Sequence, residues 1–269
     1  MKILFLGDIV GKSGRDAVLK YLPQLQETLE PDCIIVNAEN AAHGFGLTPT
    51  IAQLLFTAGV DCITTGNHVW AKKELIPLLE TDHRVLRPLN YPASAPGQGA
   101  SVIPARNGEK VLVMNVMGRL FMDPLDDPFA AVDKQLDMHR LGAGVDAIVI
   151  DFHAEATSEK MIMGHYCDGR ASLVVGTHTH IPTADAQILP GGTAYQSDAG
   201  MCGDFDSVIG MQKQPSVDRM VTKLPGERMA PSEGKGTVCG VFVETGQGGL
   251  AVTIAPVRIG PRLLTTGHS

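Results

Sequence analysis

Apolar runs alternate along the chain with stretches whose apolar residues return every three or four positions, which predicts a β-α-β-α order. Ile3 to Leu6 reads as a buried strand, and about Gly14 to Leu29 as a helix interrupted or kinked near Pro23. Cys33 to Val36 is the next strand. A helix from about Thr48 to Ala58 follows, with Thr48 as its N-cap and Pro49 at its first position. Val60 to Thr64 reads as a strand and Ala71 to Glu80 as a helix. This rhythm argues for a parallel sheet with right-handed crossovers. Proline and glycine between Pro88 and Gly99 mark a loop, as do Pro124 to Pro128. Val111 to Val116, Ala147 to Phe152 and Leu173 to Val175 read as strands, and Phe129 to Leu141 as a helix. Strands late in the chain, Val238 to Glu244 and Leu250 to Ile254, suggest a second, more antiparallel sheet. With no repeat, low-complexity tract or linker, residues 1–269 are expected to form a single domain.

Composition narrows the classes. The 269 residues can bury a substantial core. A net charge of −7 and 5% aromatic residues argue against long nucleic acid and anionic membrane as partners, but not against a small anion held at a local metal site. No run approaches a membrane span, and the first residues do not read as a signal peptide. The five cysteines are scattered without a C-x-x-C pair, which suits reduced core thiols and a cytoplasmic protein. A homo-oligomer stays open.

The chemistry sits at strand ends. LFLGD ends at Asp8, IIVNAEN at Glu39 and Asn40, ITTGNH at Asn67 and His68, IVIDFH at His153, and LVVGTHTH at His178 and His180. Ligands of open parallel sheets bind beyond the carboxyl ends of the strands. Taken singly, Asp8 could cap a helix, Asn67 could be a left-handed turn residue, Glu39 could be solvated and His153 could be a core histidine. Five such clusters together, with two alternating histidines beside a glycine, outweigh those readings. The set mixes oxygen and nitrogen donors without thiolate, which suits manganese, iron, zinc or cobalt better than calcium. In an extended H-T-H the middle residue points away, so both imidazoles can face one side. Two ions roughly 3.5–4 Å apart can hold a hydroxide between them and clamp both ends of an in-line phosphoryl displacement.

These residues resemble a known superfamily, the calcineurin-like metallophosphoesterases, through Gly7-Asp8, Gly66-Asn67-His68 and Gly176-Thr177-His178-Thr179-His180. The strings GDIVG, NAENAAHGFGLT, TTGNHVW, LDDPF, DFHAEATSEK, DGRAS and VVGTHTHIPTAD are similar to its YmdB-like branch of bacterial cyclic-nucleotide phosphodiesterases. The resemblance implies an α/β fold of two face-to-face β-sheets flanked by helices, the αββα sandwich. It implies two metal ions per chain, iron or manganese. Asp8, Glu39 and His180 would hold one ion, and Glu39, Asn67, His153 and His178 the other. His68 would be the catalytic proton donor and Asn40 a phosphate contact. The implied activity is hydrolysis of small phosphodiesters, 2′,3′-cyclic nucleotides such as 2′,3′-cyclic AMP and also 3′,5′-cyclic nucleotides, by a metal-bridging hydroxide. Three departures from the wider superfamily stand out: no D-x-H histidine after Asp8, glutamate rather than aspartate at 39, and Val69 where a carboxylate usually follows G-N-H. The branch shares all three. Two other readings keep the same site: a phosphomonoesterase or protein phosphatase, and a regulatory protein that senses a nucleotide.

Overall fold

The computed structural model describes residues 1–226 and 228–264. Two six-stranded sheets carry the fold. The strands are β1 (Lys2–Leu6), β2 (Cys33–Asn37), β3 (Cys62–Thr64), β4 (Val85–Leu86), β5 (Ala100–Pro104), β6 (Lys110–Met117), β7 (Ala147–His153), β8 (Leu173–Thr177), β9 (Gln187–Ile188), β10 (Ala194–Gln196), β11 (Val238–Thr245) and β12 (Ala251–Ile259). The first sheet has the order β12-β11-β1-β2-β3-β4, and the second β5-β6-β7-β8-β10-β9. Neighbours from β1 to β4 are parallel, as are β6, β7, β8 and β10.

Alternation along the strands explains the layering. Ile3, Phe5, Cys33 and Ile35 share one apolar cluster with Val111, Val113, Val149 and Val175, so the two sheets pack face to face. The intervening residues point outward. Leu4, Leu6, Ile34 and Val36 pack against α1 (Gly11–Leu29) and α2 (Pro49–Thr57) through Val18, Leu22 and Leu55. Leu112, Met114, Ile148 and Ile150 pack against α4 (Pro128–Met138) and α5 (Thr157–Tyr166) through Val132, Leu136 and Met163. Strands covered on both faces read as the continuous apolar runs seen in the sequence. The result is the expected αββα sandwich.

Several local expectations change. α1 starts at Gly11 and runs uninterrupted through Pro23. The stretch from Ala71 to Glu80 is not one helix: two 3₁₀ turns, Val69–Ala71 and Lys73–Leu75, precede α3 (Ile76–Thr81). Pro77 is the reason, since proline is tolerated only in a first turn and the helix must begin beside it. The late strands do not build a second sheet. β11 pairs antiparallel with β1 and β12 with β11, so the hairpin extends the first sheet. The second sheet comes from the middle of the chain instead. Its edge strand β5 and the helices α5 and α6 (Lys213–Thr222) were not anticipated. α5 turns Glu159 and Lys160 inward, which breaks the apolar period, and α6 buries none of its residues. Among the described residues no helix is long and apolar enough to cross a membrane. All five cysteines are free and buried.

Candidate metal centre

The loops that leave β1, β2, β3 and β8, and the last residue of β7, converge at the carboxyl ends of the parallel strands. Asp8 is fully buried and does not cap α1, whose N-cap is Val10; its Oδ2 accepts the His178 N–H at 3.2 Å. Glu39 is 1% exposed, and its Oε2 lies 3.3 Å from His153 Nε2. The same oxygen accepts the His68 N–H at 3.1 Å, while Oε1 accepts from Asn40 Nδ2 at 2.9 Å. Asn67 Oδ1 stands 2.8 Å from His153 Nε2, and His178 Nδ1 stands 3.1 Å from it. His180 Nε2 lies 3.1 Å from Asn40 Nδ2 and 4.0 Å from Asp8 Oδ1. Two groups of donor atoms result, each within 4.8 Å internally: Glu39, His153 and His178, and Asp8, Glu39 and His180. Glu39 belongs to both.

The strand ends alone do not create this geometry. A Cβ on Gly66 would lie 2.4 Å from both Glu39 Oε2 and His153 Nε2, so only glycine lets the G-N-H turn approach so closely. The H-T-H segment is not extended, contrary to expectation. His178 and His180 have φ values of 92° and 69°, a left-handed conformation that costs energy for residues with a side chain. Thr179 between them offsets that cost by anchoring: its N–H and hydroxyl both donate to Asp198 Oδ2, at 3.1 and 2.6 Å. Asp198 also receives the Lys160 ammonium at 2.7 Å and the Gly200 N–H at 2.8 Å. Lys160 and Asp198 are 2% and 1% exposed. Nothing in the sequence pointed to this buried pair, where Lys160 was one letter of a family-like string.

Hydrogen bonds also fix which imidazole nitrogens can bind a cation. Thr177 donates its hydroxyl to Asp151 Oδ1 at 2.6 Å and can only accept from His153 Nδ1, at 2.9 Å. Asp151 is held on its other side by Asn37 and Thr64. His153 therefore presents Nε2. His180 Nδ1 donates to the Ile209 carbonyl at 2.8 Å, which likewise leaves Nε2.

The electrostatics carry the marks of a cation site. Burial lifts the Asp8 carboxyl to about 6, against the pull of His180 and His153. Burial disfavours charge on His153, yet Glu39, by charge and hydrogen bond, together with Asp8 and Asp151, carries it up to about 9. Burial would raise Glu39, but His153 outweighs it and holds the carboxyl below its ordinary range. Burial and the neighbouring His153 push His178 down to about 3. Asp8 Oδ1 and Asn40 Oδ1 are buried without a hydrogen-bond partner. Around His153 Nε2 stand a carboxylate oxygen, an amide oxygen and an imidazole nitrogen, a crowd of acceptors that one imidazolium proton serves in the free chain and that a metal cation could serve in its place. Carboxylate, amide and imidazole donors in this arrangement fit divalent transition-metal ions.

His68 lines the cleft above these groups with Glu39, Asn40, His178 and His180. Its ring meets Phe45 edge-on, 5.0 Å between centroids and 82° between planes, and its Nε2 lies 3.3 Å from Asn67 Nδ2. Val69 is fully buried in the core of the first sheet, so orientation of His68 falls to Phe45 and Asn67 rather than to a following carboxylate. Burial lowers the His68 pKa, opposed by Glu39. Glu155, which the sequence did not single out, puts Oε2 3.2 Å from His178 Nε2. Arg15 donates to the Ala41 carbonyl and steadies the loop after Glu39. His43 is exposed and stays outside both donor groups.

The YmdB-like protein family model matches residues 4–257. The chain is 48% identical over 244 residues to the 2′,3′-cyclic-nucleotide 2′-phosphodiesterase of Bacillus subtilis (strain 168), covering 91% of each. A crystal structure of a hypothetical protein from Thermus thermophilus matches with a TM-score of 0.90 and 44% identity, over 97% of this chain and 100% of that one. The 5′-nucleotidase precursor of the same organism matches with a TM-score of 0.58 at 12% identity, over 97% of this chain and 54% of that one, a likeness of fold alone.

Proposed function

The chain belongs to the YmdB-like protein family, and from that premise we propose that it is a metal-dependent phosphodiesterase of small phosphodiesters, chiefly 2′,3′-cyclic nucleotides. The observation that carries this reading is the pair of donor groups sharing Glu39. Asp8, Glu39 and His180 would hold one cation, and Glu39, Asn67, His153 and His178 a second, iron or manganese as the family resemblance implies. Bound there, such cations would supply Lewis-acid stabilisation of phosphoryl charge and activation of water as nucleophile.

The protein's own groups do the rest. The Asn40 amide donates to Glu39 and lies beside His180 Nε2, while its buried Oδ1 has no hydrogen-bond partner among the described residues. It would contact the phosphate or steady the first cation. His68 stands at the open side of the cleft and gives a proton to the leaving ribose oxygen, a contribution of about 10²–10⁴ in rate. Burial lowers its pKa against the pull of Glu39, and a phosphodiester anion beside it would favour the charged, proton-donating form. The Thr177–Asp151 relay fixes the His153 tautomer, and the Lys160–Asp198 pair holds the H-T-H turn.

Turnover of four substrates tests the reading: a 2′,3′-cyclic nucleotide, a 3′,5′-cyclic nucleotide, a bis-aryl phosphate and a phosphoserine peptide. The metal-loaded chain is expected to prefer the 2′,3′-cyclic nucleotide. Preference for the phosphopeptide would make it a phosphomonoesterase. Tight nucleotide binding without turnover would make it a sensor.

A further inference from the structure

The cleft above the donor groups, about 310 Å³, does not end at the metal centre. Phe45, Ile209 and Met211 line it and also line a larger lobe of about 970 Å³. The two spaces therefore adjoin across these three side chains. Ile209 belongs to both: its carbonyl holds the His180 ring, and the residue lines the cleft and the lobe.

The larger lobe has a composition unlike the rest of this acidic chain. Arg219, Lys223 and Arg228 line it, and no carboxylate does among the described residues. Met220, Leu224 and Met229 line the same space. Met220 is 68% exposed and Leu224 65%, so α6 and the segment after it turn apolar surface toward an open space. Thioether and aliphatic side chains beside an aromatic ring accept the flat face of a nucleobase, and guanidinium groups pair with phosphate.

A cyclic mononucleotide cannot use this lobe fully. It carries one phosphate, and the metal centre consumes that one; its ribose and base offer the three cations no anion. We propose that the lobe binds the next nucleotide of a short oligonucleotide whose terminal cyclic phosphate sits at the metal centre. The assignment rests on the phosphodiesterase reading and names its substrate class: oligonucleotides of two or a few residues ending in a 2′,3′-cyclic phosphate. The internal phosphate meets Arg219, Lys223 and Arg228, and the penultimate base lies against Met220 and Met229. The chemistry is unchanged. Water adds across one P–O bond of the ring, the ribose oxygen leaves with a proton, and no further reactant is needed.

The test compares 2′,3′-cyclic AMP with an adenylyl dinucleotide ending in a 2′,3′-cyclic phosphate, on the metal-loaded full chain. The dinucleotide should have a kcat/KM at least about tenfold higher, chiefly through KM, and that KM should rise with salt. Replacing Arg219, Lys223 and Arg228 together by alanine should bring the ratio of the two kcat/KM values to about one; Arg219→Lys with Arg228→Lys should keep most of it. Equal kcat/KM values in the unaltered chain overturn the lobe assignment and leave the phosphodiesterase reading standing. If neither compound is hydrolysed, that reading falls, and calorimetric binding judges the lobe: tighter binding of the dinucleotide supports it, and equal binding overturns it. Dissociation of an oligomer by Met220→Asp with an unchanged ratio would give this face to a second copy of the chain and overturn the proposal.

Discussion

The floor of the metal centre and the lobe beside it sit side by side and are built on opposite principles. On the floor the buried donor groups crowd together, most of them held by hydrogen bonds, and His178 and His180 accept left-handed backbone to join them. In the lobe, α6 buries none of its residues, and α6 together with the segment after it lines open space with Arg219, Met220, Lys223, Arg228 and Met229. The floor holds its side chains by packing and hydrogen bonds, as a site that must present fixed ligands requires. The lobe offers adaptable surface, as a variable extension of a substrate requires. Substitutions on the floor should therefore alter metal binding and chemistry, whereas substitutions in the lobe should alter selectivity.

The largest expected effect is on the floor. Glu39→Gln removes the one oxygen pair common to both donor groups, and turnover should fall by roughly three orders of magnitude or more, checked by steady-state kinetics with metal in excess. His68→Ala should cost about 10²–10⁴ in kcat with a cyclic nucleotide and far less with a bis-aryl phosphate, whose leaving group needs no proton. A uniform loss across both substrates would reassign His68 to binding.

Asp198→Asn touches no candidate ligand but strands the buried Lys160 ammonium. Metal affinity should weaken about 10–100-fold. Stability should fall by about 3–5 kcal/mol, measured by denaturant titration. Adding Lys160→Met should recover much of the stability without recovering the affinity, because Thr179 still lacks its carboxylate anchor.

Acidity gives a smaller, graded effect. His153 in the metal-free chain is raised from 6.5 to about 9, so its protonated form stabilises that state. The contribution is complete below about pH 6.5 and is lost as pH rises through about 9. A metal-free chain should thus lose thermal stability between those values. Metal binding runs the other way: the cation must displace the His153 proton and, below about pH 6, the Asp8 proton as well, so affinity should fall on acidification. Calorimetry at pH 6 and pH 8 checks both signs. The smallest change in stability belongs to the lobe: Arg219→Ala or Met220→Ala should shift folding stability by no more than about 0.5 kcal/mol, since both side chains are exposed.

The same contrast explains what could be read from the sequence. Strands buried on both faces leave continuous apolar runs, and a polar residue just past such a run is conspicuous. Asp8, Glu39, Asn67, His153, His178 and His180 could therefore be gathered from the order of residues alone. The layering was legible only through the family resemblance, because a run such as Ile3 to Leu6 does not say which residue meets a helix and which meets the other sheet. The destination of β11 was not legible at all: its pairing with β1 joins residues more than two hundred positions apart. Lys160 and Asp198 drew no attention in the sequence, since burial of an ion pair has no sequence signature. α6 had no apolar face against a core to reveal it.

Metal analysis of the chain purified without added metal, beside its Glu39→Gln variant prepared in the same way, tests the shared-carboxylate centre most directly. The account predicts about two ions per chain in the unaltered protein and fewer than about half an ion in the variant, with turnover of 2′,3′-cyclic AMP lost in parallel. A variant that still carries two ions per chain would contradict it.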